Sequence, residues 1–364
     1  MMPRMKILLQ VARRLLSVSL YAAVLFALPA QALLVSGLYE QEIQVQNQGD
    51  SERLRAYREG MAAVVVKVTG DERHLRNSAI ERAVRDAQSY VQEVSYRTDS
   101  STTEARTFIR MSFDSALLNQ TLMTSGVPVW DRERPVVLLW LTVQNASGVR
   151  EVLSADSEHP MLEIVREFAR VRGLPVLLPV MDLEDRRNLP ADVAWSLDET
   201  RIRSASARYG ADAILGGRLL ESPTGDLVGL WQFLFRDSVE SFDAFERDLS
   251  VLTLGTLNRV TGQLAAHYAF NSMEAPADAR VRVRVEGMDS ARDYVDLMAY
   301  MDSLAVVDTA AAALLDGAAI ELDVRLLATP FLFTEFIALG RDLQPLTVPG
   351  AAPEQPLLHL RWVR

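Results

Sequence analysis

Two adjacent glycines, Gly216 and Gly217, sit in the apolar stretch "ARYGADAILGGRLLESPTGDLVGLWQFLF" at 207–235. Glycine-rich loops are one of the few devices a chain has for cradling phosphate. Such a cradle belongs at a strand-to-helix turn, where backbone N–H groups and a helix N-terminus converge on the anion. Here apolar residues flank the pair on both sides, the next element reads as a hairpin, and no Lys-Ser or Lys-Thr follows. Inside a strand, glycine marks a bulge or a close approach by a neighbour. The spacing therefore predicts glycines that make room. Contact with a partner is the alternative, and nucleotide binding is the weakest reading.

Other residues with chemical potential are sparse. Asp182, Glu184 and Asp185 lie beside Arg186 and Arg187. Paired carboxylates do acid–base work when burial splits their pKa values, but neighbouring arginines in a polar loop predict a solvated, self-paired surface. Of the four histidines, His74, His159, His267 and His359, none stands in a two-histidine metal spacing. His267 falls on an apolar helical stripe and reads as a satisfied core residue. The absence of Cys removes thiol catalysis, disulfides and thiolate metal sites, and no Gly-x-Ser-x-Gly elbow occurs. No catalytic residue, cofactor or metal is expected. The tryptophans say more: Trp130 and Trp140 bracket the entry to the middle of the chain, and Trp231 and Phe233 share one face of a strand apolar on both sides.

These residues need a scaffold, and hydrophobic periodicity supplies one. Alternation at 39–46 predicts a strand, and apolar spacing from Leu54 to Val68 a helix that stops at Gly70. A second helix from Asn77 carries Ile80, Val84, Ala87, Val91 and Val94 on one stripe. A strand at 105–114 and a helix capped by Asp114 follow. The apolar run 136–141 predicts a strand buried on both faces. A helix with Pro160 early and Ile164, Phe168 and Val171 on one side ends at Gly173. After a short strand, 181–192 reads as a polar loop and 196–199 as a capping box opening a helix. Two strands turning at 223–226 and a long helix bearing Leu257, Val260, Leu264 and His267 complete an α/β unit. Beyond a linker, Val281, Val283 and Val285 oppose Arg280, Arg282, Arg284 and Glu286, as in a half-exposed strand. A helix, a hairpin around Asp316-Gly317, a helix from Pro330 and a last strand at 357–363 give the ferredoxin-like order.

The first 32 residues read as an export signal. Arg4, Lys6, Arg13 and Arg14 precede an apolar run at 15–28, and small residues stand before an expected cut after Ala32. No Cys is available for a lipid anchor. Removing the segment leaves 34 basic against 48 acidic residues, a net of −14. Such a chain repels phosphate backbones, so nucleic acid is not expected as a partner, nor is stable membrane insertion after cleavage.

The segments "LYEQEIQVQNQ", "GMAAVVVKVTGD", "VPVWDRERPVVLLWLTV" and "ARYGADAILGGRL" make the chain resemble a secreted proteobacterial family called domain of unknown function 2066. The resemblance brings no catalytic residue. The helix ending in "YGADAILGGRL", with Trp231 on the strand after it, is also similar to the N-terminal module of TolB and to modules in LpoB and FlgT. That likeness implies a non-enzymatic envelope module that docks onto other proteins. The expected organisation is signal peptide 1–32, N-terminal α+β domain 33–130, TolB-N-like α/β domain 131–272, linker 273–278 and ferredoxin-like α+β domain 279–364. The expected function is periplasmic binding or assembly with an envelope protein, through Gly216, Gly217, Trp231 and Phe233. A carboxylate-dependent hydrolase and a ligand carrier are the alternatives.

Overall fold

The computed structural model describes residues 35–100, 105–145, 147–222, 224–346 and 357–363. The expected signal and its cleavage site, and Pro223 of the expected turn, lie outside these residues. Beyond Ala32 the described residues form one compact unit, a mixed α/β structure built on three sheets.

In the first sheet, β1 (Glu40–Val45) and β2 (Val91–Asp99) flank β3 (Arg106–Phe113), all antiparallel. Ile109, Met111 and Phe113 alternate inward from β3 and meet Met61, Val64 and Val68 of α1 (Asp50–Thr69). Gly70, at φ 75°, ends that helix in the left-handed region, where a Cβ is costly. Two shorter helices, α2 (Ser78–Arg85) and α3 (Ser115–Thr124), are capped by Asn77 and Asp114. The expected helix through Val94 is corrected here. It closes at Asp86, and Val91 and Val94 belong to β2. Their spacing fits either period over so short a run, and the β-branched and aromatic residues of 91–98 favour the strand.

The second sheet runs β5 (Arg150–Val152), β4 (Val137–Gln144), β7 (Ala213–Glu221), β8 (Leu227–Phe235), β9 (Ser238–Glu246), with β6 (Val176–Leu177) also beside β4. The β4–β7 pair is parallel, and β7, β8 and β9 form an antiparallel meander. Val137, Leu139 and Leu141 share a core with residues of α4 (Pro160–Arg172) and α8 (Leu249–Tyr268). On the other face, Leu138 and Trp140 pack with Ala194, Ile202 and Ala205. Both faces of β4 are thus covered, which is why its sequence is apolar without alternation.

The loop expected at 181–192 is instead helical. Asp182 caps α5 (Leu183–Asn188), and α6 (Ala191–Ser196) follows. The capping residue of α7 (Glu199–Ser206) is Asp198, whereas Ser196 ends α6, because Leu197 turns left-handed at φ 55° between them. Strand β9 was not expected from the sequence. Its turn is made by Arg236 at φ 54°, so the Gly or Asn signal of a tight hairpin is absent.

The third sheet has the order β11 (Val307–Asp316), β12 (Ala319–Leu326), β10 (Arg280–Glu286), β14 (Leu357–Trp362), β13 (Leu343–Pro345). Residues of α9 (Ala291–Ser303) and α10 (Pro330–Gly340) join Val281, Val283 and Val285 in the core. The unexpected strand β13 reverses the chain after α10, so β14 runs parallel to β10.

The second and third sheets share one hydrophobic cluster, continuous from Trp130 to Leu360. The Tyr268 ring of α8 lies 6.0 Å from Phe336 of α10, and His267 Nε2 is 2.7 Å from the Glu335 carboxylate. The chain between them at 273–278 therefore connects elements that already pack together.

Candidate functional site

The four positions expected to meet a partner lie inside the molecule. Trp231 and Phe233 are each 2% exposed. Gly217 stands opposite Trp231 across the β7–β8 pair, and a Cβ there would come within 2.3 Å of the indole Cζ3. Gly229 borders the same ring on its own strand, with a Cβ 2.7 Å from Nε1. The indole thus lies across the sheet surface in space that only glycines leave open. Gly216 faces the other way, where a Cβ would stand 3.2 Å from Ile202. The pair makes room on both faces of β7, and a contact surface has to be sought elsewhere.

The acidic cluster is a structural network. Asp182 accepts from Arg208 at 2.8 and 2.9 Å rather than from its neighbours Arg186 and Arg187. Asp185, almost fully buried, accepts from the Met181 N–H and from the Tyr209 hydroxyl. Burial, helped by that carboxylate, pushes the Tyr209 hydroxyl up to about 12. These bonds fix α5 against the C-terminal end of α7. On the third sheet, Arg282 pairs with Asp323 at 2.9 Å, and Arg284 with Asp316 and Glu321 at 2.9 and 3.2 Å, as cross-strand rungs. Among the described residues no group of three His, Asp or Glu is arranged to hold a metal ion.

One carboxyl is out of the ordinary. Glu133 is 8% exposed, and its Oε2 has no hydrogen-bond partner. Burial pushes it up to about 8, and Asp131 and Asp342 add to the effect. Burial also raises Asp342. Neither acid lines the groove described next.

An open groove runs along α8, with α4 and α1 supplying its other sides. One half is a cavity of about 690 Å³ lined mainly by apolar groups, among them Val66 of α1, Ile164, Phe168 and Val171 of α4, and Leu254 of α8. That volume lies in the range of binding sites. The stripe Ile164, Phe168, Val171 is legible in the sequence, but its role as a groove floor is not. The walls are fixed by two buried arginines. Arg134 donates to the carbonyls of Lys67 at the end of α1 and of Arg172 and Gly173 at the end of α4, at 2.7, 2.7 and 3.2 Å. Its guanidinium lies 4.3 Å from the Trp130 ring centroid. Arg172 donates to the Gly70 carbonyl at 2.8 Å. Burial lowers the pKa of both, Arg134 to about 9. A fork of donors that satisfies several helix-end carbonyls is what makes a buried guanidinium tolerable.

The groove is electrostatically polar along its length. Glu163 and Glu167 stand at the end where α8 begins. Arg73, Arg76 and Arg259 stand at the other with Asp71, in a second cavity of about 700 Å³ that shares Glu72, Leu75, Arg172 and Asn258 with the first. Arg73 is paired with Asp71 and Arg259 with Glu240, whereas Arg76 makes no ion pair among the described residues. Where the two meet, Asn258 Oδ1 and Arg172 Nε are buried without a hydrogen-bond partner.

Residues 32–131 match the family model of a domain of unknown function, DUF8605. That match covers the first sheet with α1, α2 and α3, while α4 and α8 lie beyond it. No curated protein matches the chain. Among solved structures, a formyltetrahydrofolate deformylase from Pseudomonas putida KT2440 is aligned at 13% identity over 53% of this chain and 88% of its own. The TM-score of that alignment is 0.14, too low for a shared fold.

Proposed function

We propose that the protein is a non-enzymatic binding or assembly module of the bacterial cell envelope, working in the periplasm, and that it docks a partner helix in the groove along α8. The single observation that carries this reading is the groove: an apolar floor held rigid by Arg134 and Arg172 and open to solvent. An apolar channel between helices is the usual receptor for an amphipathic helix. The export signal and the resemblance to domain of unknown function 2066 support the compartment. The helix, β7 and Trp231-bearing β8 support a TolB-N-like reading of the second sheet. The order β10, α9, β11, β12, α10, with β12 antiparallel beside β10, supports a ferredoxin-like reading of the third, from which the extra β13 and the parallel β14 depart.

Crosslinking of the tagged chain in living cells, followed by mass spectrometry, tests the proposal. A reproducible envelope protein, captured by wild type and lost with Leu254→Glu, is the expected outcome. Leu254 is 38% exposed on the groove wall, so a charge there spoils the apolar floor and leaves the core alone. Equal capture by a folded Leu254→Glu variant would place the contact elsewhere. Export is checked separately by release of the chain on osmotic shock.

A second reading, a carboxylate-dependent hydrolase, has one observation in its favour: the raised pair Glu133 and Asp342. Hydrolysis of envelope substrates by wild type, abolished in Glu133→Gln, would move the function there.

A further inference from the structure

We infer that the occupant of the groove is α8 of a second copy of this chain, in an antiparallel two-fold pair centred on Asn258. The inference rests on the docking reading above and names its partner.

The first observation is a pair of glycines that the fold does not need. Gly255 and Gly262 stand seven residues apart, away from the buried stripe of α8. A Cβ added at either would meet no atom within 4 Å. Inside a helix, glycine is less favourable than alanine, so within one chain these positions carry a cost without a compensating contact. What they provide is a smooth face on which another helix can approach closely.

The second observation is the symmetry of the charges. Glu163, which makes no ion pair among the described residues, stands at the Ser250 end of the groove. Arg76, also without an ion pair among them, stands at the Ala266 end. A two-fold axis at Asn258 reverses one α8 against the other. It brings the acidic end of each groove to the basic end of its mate, and Gly255 of one copy opposite Gly262 of the other. Helix dipoles then run antiparallel, which is favourable. A surface complementary to itself under a two-fold is the requirement for a closed dimer.

The third observation is the place of Asn258. It stands between the two glycines and lines both halves of the groove, so a two-fold axis through the middle of α8 passes beside it. Its Oδ1 is already enclosed by its own chain, so Asn258 marks the axis by its position and not by a bond across it.

The chain has no Cys, so single thiols can be placed at will in the full-length protein. Sedimentation velocity is expected to show a dimer in the micromolar range. Asn258→Cys is expected to form a disulfide-linked dimer on mild oxidation. Gly255→Cys and Gly262→Cys should each remain mostly unlinked alone and link when mixed. Glu163→Arg and Arg76→Glu should each weaken the dimer about tenfold, and the double variant should recover most of that loss. A monomer at every concentration overturns the inference, as does a mixture that links no better than its components. So does a double variant as weak as the singles, a readout that mere misfolding of the thiol variants cannot imitate. If the chain is monomeric yet Leu254→Glu still loses an envelope protein, the inference falls and the docking reading stands. If neither association occurs, both fall.

Discussion

The molecule contains two sets of glycines that differ in what surrounds them. A Cβ added at Gly217 or Gly229 would run into the Trp231 indole. At Gly255 and Gly262 a side chain would meet open space. The first pair is explained by its own fold, since the sheet cannot hold a flat indole over any larger residue. The second pair has no such explanation inside one chain. A crowded glycine reports on packing, and an uncrowded one inside a helix directs attention outward.

The largest expected effect tests the interior half of this contrast. Trp231→Ala leaves a cavity under β8 and is expected to cost about 4 kcal/mol in urea unfolding. A loss below about 1 kcal/mol would mean that the indole is not a core element. The buried carboxyl comes next. Glu133 titrates near 8 when folded and near 4.5 when unfolded. Between those values the folded chain keeps a proton that the unfolded chain has lost, so stability falls as pH rises from about 4.5 to 8 and the full loss is in place above 8. Glu133→Gln should remove that slope and gain about 3 kcal/mol at pH 9, with little change at pH 4. Parallel slopes in variant and wild type would show that the carboxyl is better solvated than its burial implies.

Smaller effects separate the glycines themselves. Gly217→Ala forces the indole to move and is expected to cost about 2 kcal/mol. Gly255→Ala is expected to stabilise the isolated chain by about 1 kcal/mol and to weaken its self-association. Thermal melts at low concentration and sedimentation at high concentration give the two readings. A Gly255→Ala variant less stable as a monomer would erase the distinction between the two sets.

Much of the scaffold was legible in the sequence. Gly70, Gly173, Asn77 and Asp114 announced their helix ends, since a left-handed stop and a side-chain cap are local chemistry. Strand β4 announced its double burial by its unbroken apolar run. Where signals were ambiguous or missing, the reading failed. Val91 and Val94 fit two periods, and Arg236 makes a turn without a turn residue. The helices at 183–196 looked like loop because their polar residues cap and pair with partners far along the chain, such as Arg208.

The expected site fared differently from the scaffold. Its glycines were read as making room and stand where they do so, but the partner contact expected at Gly216, Gly217, Trp231 and Phe233 falls on residues enclosed by the chain's own packing. The surface able to receive a partner arises where α1, α4 and α8 converge, from residues more than 180 positions apart at Val66 and Leu254. By itself the sequence determined most of the elements, the ends marked by a cap or a left-handed glycine, and the absence of thiol chemistry, because these depend on neighbours within a few residues or on composition alone. Only the tertiary structure decided that Trp231 is enclosed, that Glu133 loses its water and that Ile164, Phe168 and Val171 floor a groove. Burial is a property of what the rest of the chain brings alongside, and no local pattern records it.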